Sequence, residues 1–375
     1  MESRELLTKG CSEFGFSLLQ TLSNHVNDDV GGILISPFGI WSALLIAYYG
    51  SASSTRIELE TILGIDKLNK LEIKEVYKDI IREHAGYTLA NRMYLQRGLE
   101  LNPCSLEEEN VGYVDFENDP EEARLLINHW IEKRTRDKIK NVLPSSSVDS
   151  QTRLIIANAV YFHATWHVPF DPSKTRSRPF RVSLGEETLV EMMSITGRYP
   201  YAIDEDLQCS ILELPYGEMR DVSLTIVLPD HLYFGLKVLE PVLTSGNIHK
   251  LKKKLRYRNM HVELPKFRMS PSYDLMNALE SIGLRQVFQR GQADFSDFFA
   301  SDQNLAIDGV RHTAAIDVSE KGTTAAASTV FQFLSRSGQR ARPLPFVVDR
   351  PFFFLILDKE TDVALFMGKV WRPVF

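Results

Sequence analysis

The chain carries no side chain larger than threonine between Lys321 and Val330, in the stretch Glu320-Lys-Gly-Thr-Thr-Ala-Ala-Ala-Ser-Thr329. Small side chains allow a segment to slide between two strands of an existing sheet, because nothing bulky has to pass beneath the elements that cover the sheet. On composition alone the stretch would also fit an Ala/Ser/Thr-rich surface linker. The stretch therefore predicts either a linker or a hinge that can enter a sheet.

Three arginines follow the small residues, at Arg336, Arg340 and Arg342. From Gly322 to Arg336 an extended chain spans roughly 50 Å at about 3.3 Å per residue. An arginine in an exposed loop suits the acidic specificity pocket of a trypsin-like protease. We therefore interpret this part of the chain as a protease site that follows a hinge.

The hinge resembles that of the reactive-centre loop of the serpins, and the similarity to this family runs from near residue 10 to Phe375. Inhibitory serpins carry a charged pair, a glycine, a threonine or serine, one variable residue and then three or four alanines. The matching hinge residues are Glu320, Lys321, Gly322, Thr323, Thr324, Ala325, Ala326, Ala327, Ser328 and Thr329. The resemblance implies an α+β serpin fold over residues 1–375. The expected single domain has three β-sheets, about nine helices and an exposed reactive-centre loop at about 320–345.

Three further segments carry the resemblance. Ser36-Pro-Phe-Gly-Ile40 matches a serpin segment beneath the central sheet, although Gly39 replaces the common serine and leaves one fewer hydroxyl there. Asn158 lies in an apolar run of strand length, and the family pairs its matching asparagine with a histidine, here His312. Phe366-Met-Gly-Lys369 nearly repeats the family's C-terminal signature. The resemblance thus places Ser36, Asn158 and His312 in a cluster at which the central sheet opens.

The resemblance also assigns residues to the place where the loop meets the sheet. Trp166 matches the family tryptophan at the top of the central sheet. In serpins the lysine that matches Lys266 can pair with the acid that matches Glu320. These three residues are the expected loop-base region.

Two local signals predict helix starts. Asp119-Pro120 combines a capping side chain with a proline suited to the first helical position, and the resulting helix resembles the serpin helix that lies across the central sheet. Thr55-x-x-Glu58 has the spacing of a capping box. Both helices should therefore begin at these residues.

A basic run near residue 250 resembles the alternating pattern used for sulfated polysaccharides. Such a run is also typical of a solvated helix end. The sequence therefore leaves two interpretations, a binding site for a heparin-like glycosaminoglycan and a solvated surface. The residues of this basic run are Lys250, Lys252, Lys253, Lys254, Arg256 and Arg258.

Composition limits the other classes of function. A net charge of −6 argues against general nucleic-acid binding. Three cysteines without a C-x-x-C motif predict neither a disulfide framework nor a metal site, and no cofactor motif is present. There is no secretory h-region, no apolar run of transmembrane length and no Asn-x-Ser/Thr sequon. We expect a monomer without a membrane partner, cytoplasmic or secreted without a conventional signal peptide, as in the intracellular ovalbumin-like serpins.

The sequence lacks the G-x-S-x-G, H-E-x-x-H and phosphate-loop motifs, so an enzyme is not expected. The resemblance implies a suicide-substrate inhibitor that traps a serine protease as an acyl-enzyme. Inhibitory serpins place the cleaved residue fourteen positions after the hinge glycine, which selects Arg336-Ser337, while Arg340 or Arg342 would be cleaved in another register. The alternative is a non-inhibitory serpin that acts as a carrier, chaperone, or glycosaminoglycan- or partner-binding protein.

Overall fold

The computed structural model describes residues 2–24, 31–80, 86–102, 108–299, 304–322 and 342–375. Within these ranges the chain forms one α+β domain with eight α-helices and fifteen strands. The helices are α1 (Glu2–Ser23), α2 (Pro37–Gly50), α3 (Ser53–Leu63), α4 (Lys70–Ile80), α5 (Pro120–Arg134), α6 (Gly235–Leu239), α7 (Ser245–Lys254) and α8 (Met276–Ser281). The strands are β1 (Gly32–Ile35), β2 (Tyr87–Gln96), β3 (Val111–Val114), β4 (Leu154–Phe162), β5 (Arg176–Ser183), β6 (Glu186–Asp204), β7 (Cys209–Pro215), β8 (Val222–Pro229), β9 (Arg256–Pro265), β10 (Phe267–Met269), β11 (Ser272–Asp274), β12 (Gly309–Val318), β13 (Leu344–Val347), β14 (Phe352–Asp358) and β15 (Ala364–Val370).

The central sheet has six strands in the order β3-β2-β4-β12-β10, with β11 also paired to β12. Strands β4 and β12 are parallel neighbours over eight residue pairs, from Ile155↔Gly309 to Phe162↔Ile316. The hinge follows directly after β12. A hinge that folded back between these two strands would therefore run antiparallel to both.

The other strands form one nine-stranded sheet, in the order β1-β15-β14-β8-β7-β6-β9-β13 with β5 on β6. Three sheets were expected, but the strands of the described residues form two hydrogen-bonded sheets. The difference arises from β6, a 19-residue strand whose Met192–Tyr201 part pairs with β9 while its Tyr201–Asp204 end pairs with β7. Because one long strand belongs to both ladders, the second and third sheets are continuous.

Two helices cover the central sheet. Helix α2 is buried on almost every side and contacts β2, β4 and β15, so it lies in the main core between the two sheets. Helix α5 packs on the opposite face, where Ile127 and Ile131 join a separate cluster with small sheet residues such as Ala157, Ala159 and Ala315. A strand inserted between β4 and β12 would therefore pass beneath α5.

The two predicted helix starts had different outcomes. Asp119 caps α5 as predicted, because its carboxylate accepts a hydrogen bond from the Glu122 N–H at 3.0 Å. The capping box at Thr55 is wrong, since α3 begins at Ser53 and Ala52 occupies the cap position. Thr55 instead accepts from the Asp294 N–H at 2.9 Å, and Glu58 accepts from two backbone N–H groups after α8.

In the ranges given above, no helix has both the length and the apolar character needed to cross a membrane.

Candidate functional site

The predicted sheet-opening cluster is present as a connected hydrogen-bond network. Asn158 on β4 and His312 on β12 are directly opposite each other in the parallel register. The Nδ1 of His312 donates to the side-chain oxygen of Asn158, and its Nε2 accepts from the backbone N–H of Ser36 at 3.1 Å. The side-chain bond between Asn158 and His312 crosses the boundary at which a new strand would enter, so sheet opening has to break it.

Ser36 serves both as a helix cap and as a member of the cluster. Its Oγ accepts from the Gly39 N–H at 3.1 Å and donates to the Leu365 carbonyl at 2.6 Å. The Tyr87 hydroxyl lies 3.2 Å from the same oxygen. Ser36 therefore ties the start of α2 to both sheets.

Gly39 fits the cluster because there is no space for a side chain. A Cβ at this position would lie 2.6 Å from Val160 Cγ2, 2.8 Å from Ser36 Oγ and 3.2 Å from Asn158 Nδ2. The serine hydroxyl that Gly39 lacks is replaced in the network by Asn91 and Ser42, which the sequence did not predict. Asn91 on β2 accepts from Asn158 and donates to Ser42 Oγ at 2.6 Å.

His312 is fully buried and neutral in this arrangement. A proton on Nδ1 and a lone pair on Nε2 satisfy both of its hydrogen bonds, which identifies the tautomer. Burial lowers the pKa of His312 from its ordinary value of 6.5 to about 3. The Tyr273 ring stacks against it with ring centres 6.4 Å apart.

We expect this histidine to make the native state less stable in acid. Because the native pKa of His312 lies below the unfolded value, the unfolded chain binds more protons, and stability is lost as pH falls below about 6.5. At pH 5 this histidine lowers the free energy of unfolding by about 2 kcal/mol relative to neutral pH. Urea unfolding of the wild type and His312→Gln at pH 7 and pH 5 measures it, with the more exposed His261→Gln as control. Equal losses in wild type and His312→Gln would contradict the assignment.

In the structure, two members of the loop-base region, Trp166 and Lys266, contact the segment around the third, Glu320. The indole N–H of Trp166 donates to the Ser319 carbonyl at 2.8 Å, and its backbone N–H donates to the Lys321 carbonyl at 3.2 Å. Trp166 is buried and stacks on Tyr216 with ring centres 4.2 Å apart. Lys266 lies 3.5 Å from the Glu320 carboxylate, as expected.

Further residues hold Glu320 in place. Thr175 Oγ1 donates to the Glu320 carboxylate at 2.8 Å, and the backbone carbonyl of Glu320 accepts from the Phe170 N–H at 2.9 Å. Burial opposes ionisation of Glu320, but its own backbone N–H, Thr175 and the charge of Lys266 outweigh burial and lower the pKa of this carboxyl. Lys266 is shared with Glu191 at 2.9 Å.

Gly322 is the last hinge residue that the structure describes. Its φ is +108°, and a Cβ there would lie 2.2 Å from the Ala164 carbonyl oxygen and 2.6 Å from Thr165 Cα. Only glycine combines this backbone angle with so close an approach. The predicted hinge residues Thr323 to Thr329 and the reactive bond Arg336-Ser337 lie outside the described residues.

The basic run occupies the end of α7 and the start of β9, and two of its lysines are neutralised. Lys252 pairs with Asp362, and Lys254 pairs with Asp204 at 2.8 Å. Lys250, Lys253 and Arg258 are exposed and form no ion pair with a residue inside the described ranges. The run is therefore less positive than its sequence indicates.

The fold and this site define a protein in which the hinge begins at Gly322, beside the end of a parallel strand pair that an inserted strand could separate. The chain belongs to the serpin family, because residues 9–373 match the model described as serpin (serine protease inhibitor). It is 34% identical to the leukocyte elastase inhibitor of Bos taurus over 383 residues, covering 98% of this chain and 100% of the relative.

Two solved structures illustrate the range of the fold. Uncleaved ovalbumin is 27% identical with a TM-score of 0.86, covering 98% of this chain and 100% of its own. Thyroxine-binding globulin in complex with thyroxine is also 27% identical with a TM-score of 0.86, covering 98% of this chain and 99% of its own. A sequence relative is thus named as an elastase inhibitor, while a protein of the same fold is named for binding thyroxine, so the fold alone does not decide the function.

Proposed function

We propose that this protein inhibits trypsin-like serine proteases as a suicide substrate cleaved between Arg336 and Ser337. The observation that supports it best is the attachment of the small-residue hinge at Gly322, beside the end of the parallel β4–β12 pair. The inserting segment would form antiparallel ladders on both sides, in place of one parallel ladder. The alanines of β4 and β12 that face α5 leave room for small side chains there.

The chemistry follows the ordinary first half of proteolysis. The protease serine attacks the Arg336 carbonyl, the bond to the Ser337 nitrogen breaks, and the protease histidine donates a proton to that leaving amine. Arg336 is then esterified to the protease, and the freed hinge inserts before water can cleave the ester. Apart from the cleaved peptide bond itself, no group of the inhibitor takes part in these bond changes, so the chain would act as a substrate and not as a catalyst.

The lengths agree with trapping at the far end of the sheet. Arg336 lies fourteen residues beyond Gly322, which is roughly 46 Å of extended chain at about 3.3 Å per residue. The eight-residue β4–β12 ladder spans only roughly 26 Å at the same rise. Full insertion would therefore carry the ester past the opposite end of the strand pair.

Incubation with trypsin tests the proposal. We expect a covalent complex that survives boiling in SDS and loss of trypsin activity at about one inhibitor per enzyme. Rapid cleavage of the loop with full trypsin activity would overturn it. Elastase is tested in parallel, because a close relative is named an elastase inhibitor, and a complex with elastase alone would exclude the trypsin-like specificity.

The carrier, chaperone or binding role is the second candidate, and the thyroxine-binding relative shows that this fold can serve it. The hinge sequence favours inhibition, since every residue from Thr323 to Thr329 is small. Binding of a ligand does not by itself require a segment that can enter the sheet. The monomeric state and the cytoplasmic or unconventionally secreted location stay predictions.

The basic run supports a weaker proposal, the binding of heparin-like glycosaminoglycans. The exposed residues Lys250, Lys253 and Arg258 should contribute most, because Lys252 and Lys254 already have acidic partners. We expect each replacement of an exposed member by alanine to lower heparin affinity roughly two- to fivefold at physiological salt. Lys78→Ala on α4 is the matched control, and an unchanged affinity in all three variants would mean that the run is a solvated surface.

A further inference from the structure

A basic cavity of about 150 Å³ lies beside the loop base. It forms where one face of the β6–β9 pair meets the segment after Trp166, the β7–β8 turn and the β14–β15 turn. The residues that line it are His167, Val168, Thr196, Gly197, Arg198, Tyr199, Pro200, Pro215, Arg220, Tyr257 and Lys359.

The charged residues that line the basic cavity are all cationic. They are Arg198, Arg220 and Lys359. Both arginines are exposed, and neither forms an ion pair within the described part of the chain. Lys359 is already paired with the buried Glu213, whose Oε2 lies 3.7 Å from Lys359 Nζ. Two unpaired arginines that line one concave surface favour an anionic ligand.

The guanidinium of Arg220 is held in a fixed orientation. Its Nε donates to His167 Nε2 at 2.9 Å, and His167 Nδ1 in turn donates to the Gly217 carbonyl at 2.9 Å. The backbone of Arg220 adopts a positive φ of +57°, which is uncommon for a residue with a side chain. The terminal nitrogens of Arg220 have no hydrogen-bond partner among the residues that the structure describes. They can therefore bind two oxygens of one anion, the geometry in which arginine is most effective.

We propose that the basic cavity binds the anionic group of a small phosphate or sulfate monoester. A tetrahedral oxyanion fits two arginines from different strands and turns better than a planar carboxylate does, because its oxygens point in several directions. The apolar surfaces of Val168, Pro200 and the half-exposed Tyr257 ring border the same cavity. They provide a surface for the organic part of the ester, so a free inorganic ion would use only part of the site.

Binding here would also act on Trp166. The His167 N–H donates to the Pro215 carbonyl at 2.9 Å, and the Gly217 N–H donates to the Thr165 carbonyl at 2.8 Å. Arg220 belongs to the β7–β8 turn, and this turn is hydrogen-bonded to Thr165 and His167, the two neighbours of Trp166. An anion bound to Arg220 therefore contacts the turn that holds Trp166. The fluorescence of Trp166 thus reports on this cavity. The proposal concerns binding alone and does not depend on the inhibitory function.

Calorimetric titration of the full chain with phenyl phosphate and phenyl sulfate at low salt is the test. We expect one saturable site for at least one ester, and the tighter of the two identifies the ligand class. Arg220→Gln and Arg198→Gln should each weaken binding about tenfold. Arg134→Gln is the matched control, because it removes the same charge from an exposed position on α5 that belongs to neither the basic cavity nor the basic run.

Two results would overturn the proposal. One is that neither ester binds more tightly than neutral benzyl alcohol. The other is that Arg134→Gln weakens binding as much as Arg220→Gln, since this would mean diffuse attraction to positive charge. Unchanged melting temperatures of the variants show that they remain folded. In Trp166→Phe the fluorescence change should be lost while the calorimetric binding is retained, and retention of the fluorescence change would place the ligand elsewhere.

Discussion

Cleavage of the loop after Arg336 is expected to raise the melting temperature by tens of degrees. On the proposed mechanism the cut would free the hinge to insert between β4 and β12, which would replace one parallel ladder by two antiparallel ladders and bury the small hinge side chains beneath α5. The intact form lacks these interactions, so it is held by a kinetic barrier and not by the lowest free energy. A usual single-site change shifts melting by only a few degrees.

The measurement is a thermal melt before and after limited proteolysis, with the single cut confirmed by mass spectrometry. Thr323→Arg is the control variant, because insertion would bury its charge without a partner. This variant should be cleaved at the same bond without the rise in melting temperature, and it should behave as a substrate of trypsin. An unchanged melt of the cleaved wild type would point to a non-inhibitory serpin.

The sequence predicted the elements whose signals are local. The apolar run from Leu154 to Phe162 is β4 with the same bounds, and Asp119-Pro120 begins α5. The family resemblance identified Ser36, Asn158 and His312, and the structure brings all three together. These predictions held because a cap, a buried strand or a family motif is written in a few adjacent residues.

The predictions that failed or remained incomplete depend on distant partners. Thr55 and Glu58 have the spacing of a capping box, but both side chains bind backbone groups more than 200 residues away in sequence. Asn91 joins the sheet-opening cluster because the antiparallel β2–β4 register places it opposite Asn158. Strand register depends on the whole sheet, so no local pattern could have identified this pair.

The basic run shows the same limit for electrostatics. Its six cations read as a continuous positive surface, yet Lys254 binds the buried Asp204, and Lys252 binds Asp362 from the β14–β15 turn. Similarly, the arginines of the basic cavity come from separate parts of the sequence. A charge pattern in sequence therefore indicates a binding surface only after the counter-charges have been located in the fold.

Replacement of Arg336 by alanine should nearly abolish trypsin inhibition, while Arg340→Ala should leave it within a fewfold of the wild type. The arginine side chain would enter the acidic specificity pocket of the protease, and removal of one partner of a buried charge pair costs roughly 2–5 kcal/mol, or about 30- to several thousand-fold in affinity. Both variants remove the same side chain, so they differ only in distance from Gly322. Second-order rate constants with trypsin measure the effect, and mass spectrometry of the peptide released from the complex locates the bond.

A peptide that begins at Ser337 supports the hinge count, because insertion of fourteen residues is what carries the ester past the end of the sheet. A peptide that begins at Ala341 or Pro343, with inhibition lost in the corresponding arginine variant, would move the reactive bond to Arg340 or Arg342.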